Sequence, residues 1–328
     1  MYRFLFALLI FLAVFFFATH YAESQELFMT LKQGRPFWVL AAVGFEVLFL
    51  LNRAGFYQAV YRVVGVEESW KRLVLLVSAG AFVSLVAPGG AVSGTALIVA
   101  DAVKRGATLA RAILINLVFY LCDYGAFVTV LLGAFGYLWA KGSLTAYEEI
   151  AATLLLLFVG GQVILIGAAV RWPKQLVNVV GSIVRSSESV IPPLKRRKAG
   201  EKAVSFVNSL VDAVKWLAVH PRNLLRVGLH AFLVEALSIC VLGSVFMAFA
   251  GGVSPGTLIA GYAVGMLFLI VSITPSGVGV VEGAMAATFA SLGVRPETAV
   301  VVTFVFRGIT VWLPFLGGIV SFRVVGRN

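Results

Sequence analysis

The chain has 328 residues, of which 60% are hydrophobic and only 12% charged, with a formal net charge of +11. A soluble domain carries roughly 45–50% apolar and about 25% charged residues, so this composition excludes an ordinary globular enzyme and indicates a polytopic membrane protein. The basic excess does not stand with interleaved aromatics on a soluble face, which argues against a nucleic-acid partner and for orientation in a bilayer.

In chain order, residues 3–20 form an apolar run behind Arg3, read as a retained helix rather than a cleaved leader. Residues 21–35 are polar. A second span runs from about Pro36 to Leu51, with Glu46 inside and Asn52-Arg53 at its end. In residues 54–70, Phe56, Tyr57, Val60, Tyr61, Val63 and Val64 fall near helical spacing, which predicts a helix lying at the interface. Residues 72–105 form an apolar segment interrupted at Pro88-Gly89-Gly90. Residues 107–139 span again, carrying Asn116, Tyr120 and Asp123. A polar loop at 141–149 leads to a span at 150–170.

Residues 171–221 are the one long polar stretch, with the basic run Lys195–Lys198. Within it Val204, Val207, Leu210, Val211, Val214, Leu217 and Ala218 predict an amphipathic surface helix. Basic residues in 195–202 are expected to meet anionic headgroups. A span at 222–250 contains His230 and Glu235. Residues 256–292 form a second interrupted segment, and a last span at 297–322 contains Arg307 and Pro314.

If 171–221 is cytoplasmic, 21 lysines and arginines fall inside, 4 fall outside, and Arg307 alone lies within a span. That asymmetry predicts two cytoplasmic termini in a prokaryotic-type plasma membrane. The expected fold is all-α: a polytopic helical bundle in one transmembrane domain, 1–328. Halves 1–149 and 150–328 repeat the order span, span, broken hairpin, span with inverted topology. A shift of 187 positions places Pro88 on Pro275, Gly90 on Gly277 and Gly106 on Gly293. Paired interruptions in inverted repeats point to a transporter site near the bilayer midplane, and the ends of broken helices suit an anionic group.

Charges at bilayer depth need a partner or water. They are Glu46, Asp123, Glu235, Glu282 and Arg307, of which Glu282 and Arg307 are placed to pair. The substrate-binding set expected is Pro88, Gly89, Gly90, Ser93, Asp123, Glu235, Pro275, Ser276, Gly277, Gly279, Glu282 and Arg307. Cys122 and Cys240 read as packed thiols. The three histidines are dispersed, and no metal, cofactor or hydrolase motif occurs. No cofactor and no enzymatic activity are expected.

The stretches TPSGVGVVEGA (274–284) and FRGITVWLPFLGG (306–318) resemble the transmembrane region of lysylphosphatidylglycerol synthases, the UPF0104 (YbhN-like, flippase-like) family. Pro275, Gly277, Gly279, Glu282, Arg307 and Pro314 carry the resemblance. The first hairpin, APGGAVSGTALIVADAVKRG, and Asp123 resemble the family's earlier motif, although Val92-Ser93 and Tyr120 stand where relatives often have Gly-Glu and Arg. The resemblance implies a flippase-like fold that moves phospholipids between leaflets. It also implies that aminoacyl transfer belongs to a soluble domain absent from this chain. The expected partner is a phospholipid or lipid-linked substrate, with homo-oligomers possible. Two alternatives remain: a secondary transporter of a small anionic solute, and a membrane partner that docks a soluble enzyme through 171–221.

Overall fold

The computed structural model describes residues 34–87, 91–172, 221–272 and 274–325, with isolated positions in 174–208. The apolar run 3–20, the Pro88–Gly90 turn, the basic run Lys195–Lys198 and the amphipathic stretch 204–218 lie outside the described residues. All regular structure described is helical.

Helix α1 (Pro36–Val63) starts on a proline, whose missing N–H costs nothing in the first turn. Helix α2 (Trp70–Val86) is capped by Ser69, whose hydroxyl accepts from the Arg72 N–H at 3.4 Å. Helices α3 (Ala91–Lys104), α4 (Leu109–Ala140), α5 (Ala146–Arg171) and α6 (Pro221–Phe249) follow. Helix α7 (Pro255–Val271) has the Ser254 cap and proline at its first turn. A short 3-10 turn (Pro275–Gly277) leads into α8 (Val280–Ser291). Helix α9 (Pro296–Arg307) continues through a π-helical turn (Gly308–Trp312) into α10 (Leu313–Val325).

Among the described residues, five helical stretches are long and apolar enough to cross a membrane: 36–63, 109–140, 146–164, 224–249 and 296–324. The chain is an all-α membrane bundle. Both interrupted segments expected from the sequence are two helices each, α2–α3 and α7–α8. At 1.5 Å per residue, the 12 residues of α8 and the 14 of α3 reach only about 18–21 Å, less than the ~30 Å hydrocarbon core.

The first part departs from expectation. Residues 54–63 are not an interfacial helix but the second half of α1. Phe56, Tyr57, Val60, Tyr61, Val63 and Val64 are buried against α2, α4 and α6. Nothing in this stretch breaks a helix except Gly55, and one glycine costs a helix only about 1 kcal/mol. That glycine faces His230 of α6 so closely that a Cβ would stand 2.9 Å from the ring. The close α1–α6 contact is what the glycine permits.

The described residues bury two main apolar cores. One gathers Tyr61, Leu73, Leu114, Phe119 and Val227 from α1, α2, α4 and α6, with α3 against it. The other gathers Phe246, Tyr262, Met285, Phe289 and Val302 from α6 to α9. In the second hairpin, Gly261 and Gly265 of α7 lie under Phe289 and Met285 of α8, with no room for a Cβ at either. Small residues four apart let two membrane helices approach in this way. In the first hairpin, Gly94 of α3 has the same role against Gly80 and Ser84 of α2.

Candidate functional site

The break between α7 and α8 is built from backbone that few residues adopt. Ser276 has φ +52°, the sole non-glycine with positive φ among the described residues. Gly277 (φ +67°) and Gly279 (φ +88°) follow. A non-glycine residue held there costs about 1–3 kcal/mol unless its surroundings hold it. Two buried charges do so. Arg307, the last residue of α9, donates to the Ser276 carbonyl through one terminal guanidinium nitrogen. Its Nε donates to Glu282 Oε1 at 2.8 Å. The other carboxylate oxygen, Glu282 Oε2, accepts from the Gly279 N–H at 2.7 Å. Glu282 is 3% exposed and Arg307 5%. Arg307 thus ties the top of α9 to the turn, and Glu282 caps its own helix.

This arrangement refines what the sequence suggests. A broken helix offers N–H groups to an anion, but here the chain's own carboxylate sits at the start of α8. The turn lies against α2 of the first hairpin, so the two interrupted segments meet at this point. The structure brings Glu282, Arg307, Ser276, Gly277 and Gly279 together at this turn. The place of Pro275 is the first position of the turn. Ser93 stands half-buried in the first turn of α3.

Asp123 and Glu235 belong to a second cluster. Glu235 is the middle residue of α6, Asp123 lies at the middle of α4, and Glu46 and Arg53 flank the middle of α1. Arg53 lies within electrostatic reach of all three acids. Its guanidinium stands 5.3 Å from the Phe119 ring centroid and 5.7 Å from that of Phe49, a cation–π arrangement. Tyr57 stacks on Phe119 with centroids 4.0 Å apart. Glu235 Oε2 accepts from the buried Tyr262 hydroxyl at 2.8 Å. Tyr120 shares a 2.7 Å hydrogen bond with Thr95 of α3, which brings the first hairpin to the cluster's edge.

The two clusters differ in how far they are satisfied. Glu46 is 1% exposed, and its Oε1, like Asp123 Oδ1, is buried without a hydrogen-bond partner. No ion pair among the described residues joins this girdle to the Glu282–Arg307 clasp. On α6 and α1 the girdle's acids lie where one apolar core gives way to the other. Glu235 falls between Val234 of the first core and Val241 of the second, and Glu46 between Ala42 of the second and Ala54 of the first.

Arg53 is the residue that sequence reasoning misplaces. After the run ending at Leu51, Asn52-Arg53 looks like the polar end of a span, and Arg53 is counted among the cytoplasmic charges. The helical spacing Glu46, Phe49, Arg53, Tyr57 is the signal that places it on a buried face.

The lysylphosphatidylglycerol synthase transmembrane region matches residues 4–318 of this chain. The chain belongs to that family. The UPF0104 membrane protein PH1989 of Pyrococcus horikoshii is 26% identical over 127 residues, a match that spans 38% of each chain. Membership in the lysylphosphatidylglycerol synthase transmembrane family accords with the helical bundle. The clasp and the girdle are polar groupings that the described residues build inside it.

Proposed function

We propose that this protein translocates a phospholipid or lipid-linked anionic substrate between leaflets. The observation that carries this reading is the girdle: one arginine and three acids at the middles of three apolar helices, with Glu46 and Glu235 where two apolar cores adjoin. Ionisable groups at that depth are costly and serve pathways far more often than packing. Interrupted hairpins meeting beside such a girdle suit a headgroup that exchanges sides as one half rocks against the other. In this reading Arg53 supplies the positive charge for the headgroup, Glu46, Asp123 and Glu235 set its selectivity, and the clasp holds the turn that the headgroup passes. Ser93 of α3 belongs to the same binding set, to which the sequence also assigns Pro88, Gly89 and Gly90. The membrane is a prokaryotic-type plasma membrane with the polar 171–221 loop on the cytoplasmic side.

The test uses liposomes carrying a fluorescent phospholipid, with the outer leaflet quenched chemically. Purified protein is expected to raise the quenched fraction beyond half, and Arg53→Gln to abolish that gain at unchanged reconstitution. A wild type no faster than protein-free liposomes overturns lipid translocation. Uptake of a soluble anion with no lipid exchange assigns the girdle to a small-solute carrier instead.

A further inference from the structure

A cavity of about 300 Å³ opens where α1 finishes and α2 and α6 begin. It is lined by Gly55, Gln58, Arg62, Trp70, Arg226 and His230, together with Ala59. That size is at the lower end of ligand pockets, and a phosphate with its first ester groups fits it. The lining is basic and rigid. His230 and Asn52 hold each other twice: Asn52 Nδ2 donates to the His230 carbonyl at 3.0 Å, and its Oδ1 lies 2.6 Å from His230 Nδ1. With the amide turned this way, Nδ1 carries a proton, and Nε2 is the polar ring atom that remains. Gln58 Nε2 donates to the Glu68 carbonyl at 3.0 Å, and Trp70 Nε1 to the Leu51 carbonyl at 3.3 Å. The walls are therefore fixed by bonds to backbone.

The two guanidiniums are the part that calls for a ligand. Nearby carboxylates are engaged elsewhere: Asp101 pairs with Arg72, and Glu68 with Arg105 at 3.1 Å. Glu67 is exposed. Among the described residues neither Arg62 nor Arg226 is in an ion pair, although both line one cavity from different helices. Paired arginines favour planar, multidentate anions, phosphates above all. Trp70, 40% exposed at the start of α2, is the kind of residue that sits at headgroup depth.

We propose that this cavity is a phosphate-binding site for phosphodiester or phosphomonoester groups, held by Arg62 and Arg226 with His230 and the Trp70 indole as walls. It does not rest on the translocation reading, because binding here is measured at rest and leaves the girdle untouched. The ligand is a phospholipid headgroup or a free phosphate, and two arms separate them. The full chain is placed in phosphatidylcholine nanodiscs with a minor fraction of phosphatidylglycerol, and bound lipid is counted by native mass spectrometry after release. Separately, inorganic phosphate is titrated while thermal unfolding is followed. Expected is at least one retained phosphatidylglycerol per protein, reduced five-fold or more in Arg62→Gln/Arg226→Gln and restored by Arg62→Lys/Arg226→Lys. A phosphate-dependent rise in unfolding temperature, absent in the glutamine double variant, assigns the site to free phosphate instead. Equal lipid retention and equal phosphate response in wild type and double variant overturn the proposal. The single variants Arg62→Gln and Arg226→Gln guard against misfolding: in well-folded protein each is expected to give an intermediate loss, and no loss in either counts against the site.

Discussion

The Glu282–Arg307 clasp and the girdle around Arg53 use the same residue types, yet they are built differently. In the clasp both carboxylate oxygens are taken, one by Arg307 and one by the Gly279 N–H. The arginine also reaches a backbone carbonyl of a turn that only left-handed backbone can make. In the girdle one cation faces three acids, and buried oxygens of Glu46 and Asp123 have no hydrogen-bond partner. A fully satisfied polar network fixes one geometry, whereas a partly satisfied one is expensive. The difference teaches that Glu282 is engaged in holding its turn, whereas Glu46 and Asp123 keep buried oxygens that no described residue satisfies.

The comparison is most exposed at Arg307. Its replacement by alanine leaves Glu282 buried without its cation and the strained turn without its brace. Breaking a buried pair in this way costs about 3–5 kcal/mol. A large fall in thermal or denaturant stability in detergent is expected for Arg307→Ala, with Arg307→Lys recovering part of it. A variant as stable as wild type dissolves the structural role given to the clasp. Next in size is Gly265→Leu in the α7–α8 crossing, where a side chain collides with Met285. Overpacking of this kind costs about 1–3 kcal/mol, and it is expected to lower stability and translocation together. Smaller again is Asn52→Ala, which removes a side chain bonded twice to His230. A loss of about 1–2 kcal/mol is expected, and the phosphate response of the α1–α2–α6 cavity should weaken as His230 loses its orientation.

How much of this was legible in the sequence follows the same division. The clasp was readable because its parts are local: Pro275, Gly277 and Gly279 break a helix in any setting, Glu282 follows within one turn, and Arg307 is the one basic residue inside the last span. The α2–α3 and α7–α8 interruptions were readable for the same reason. The girdle was half-readable. Asp123 and Glu235 stand out as acids within apolar runs, whereas their cation does not, because Arg53 follows a polar neighbour and stands two residues before Gly55. What continues α1 past that point is tertiary: α6 accepts Gly55 against His230 and buries Phe56, Tyr57 and Tyr61. An aromatic stripe at helical spacing fits an interface and a core equally well, and only the neighbouring helices decide between them. The seven-residue step from Glu46 to Arg53, taken with the same step from Asn116 to Asp123, was the available clue.

The smallest expected effect on the fold is also the sharpest division between the two clusters. Asp123→Asn keeps the shape of the side chain and removes a charge whose Oδ1 is buried without a partner. Relief from burying that charge offsets the weakened attraction to Arg53, so stability is expected to stay within about 1 kcal/mol of wild type. Glu46→Gln follows the same reasoning, since its buried oxygen is likewise unpartnered. Leaflet exchange should nonetheless fall strongly in both, because the girdle then presents Arg53 with fewer counter-charges and holds an anionic headgroup too tightly to release it. If Asp123→Asn unfolds as readily as Arg307→Ala, the girdle is a second structural clasp. If it leaves both stability and exchange intact, the charge at the middle of α4 has no part in moving lipid, and Arg53 with Glu46 and Glu235 must carry the headgroup.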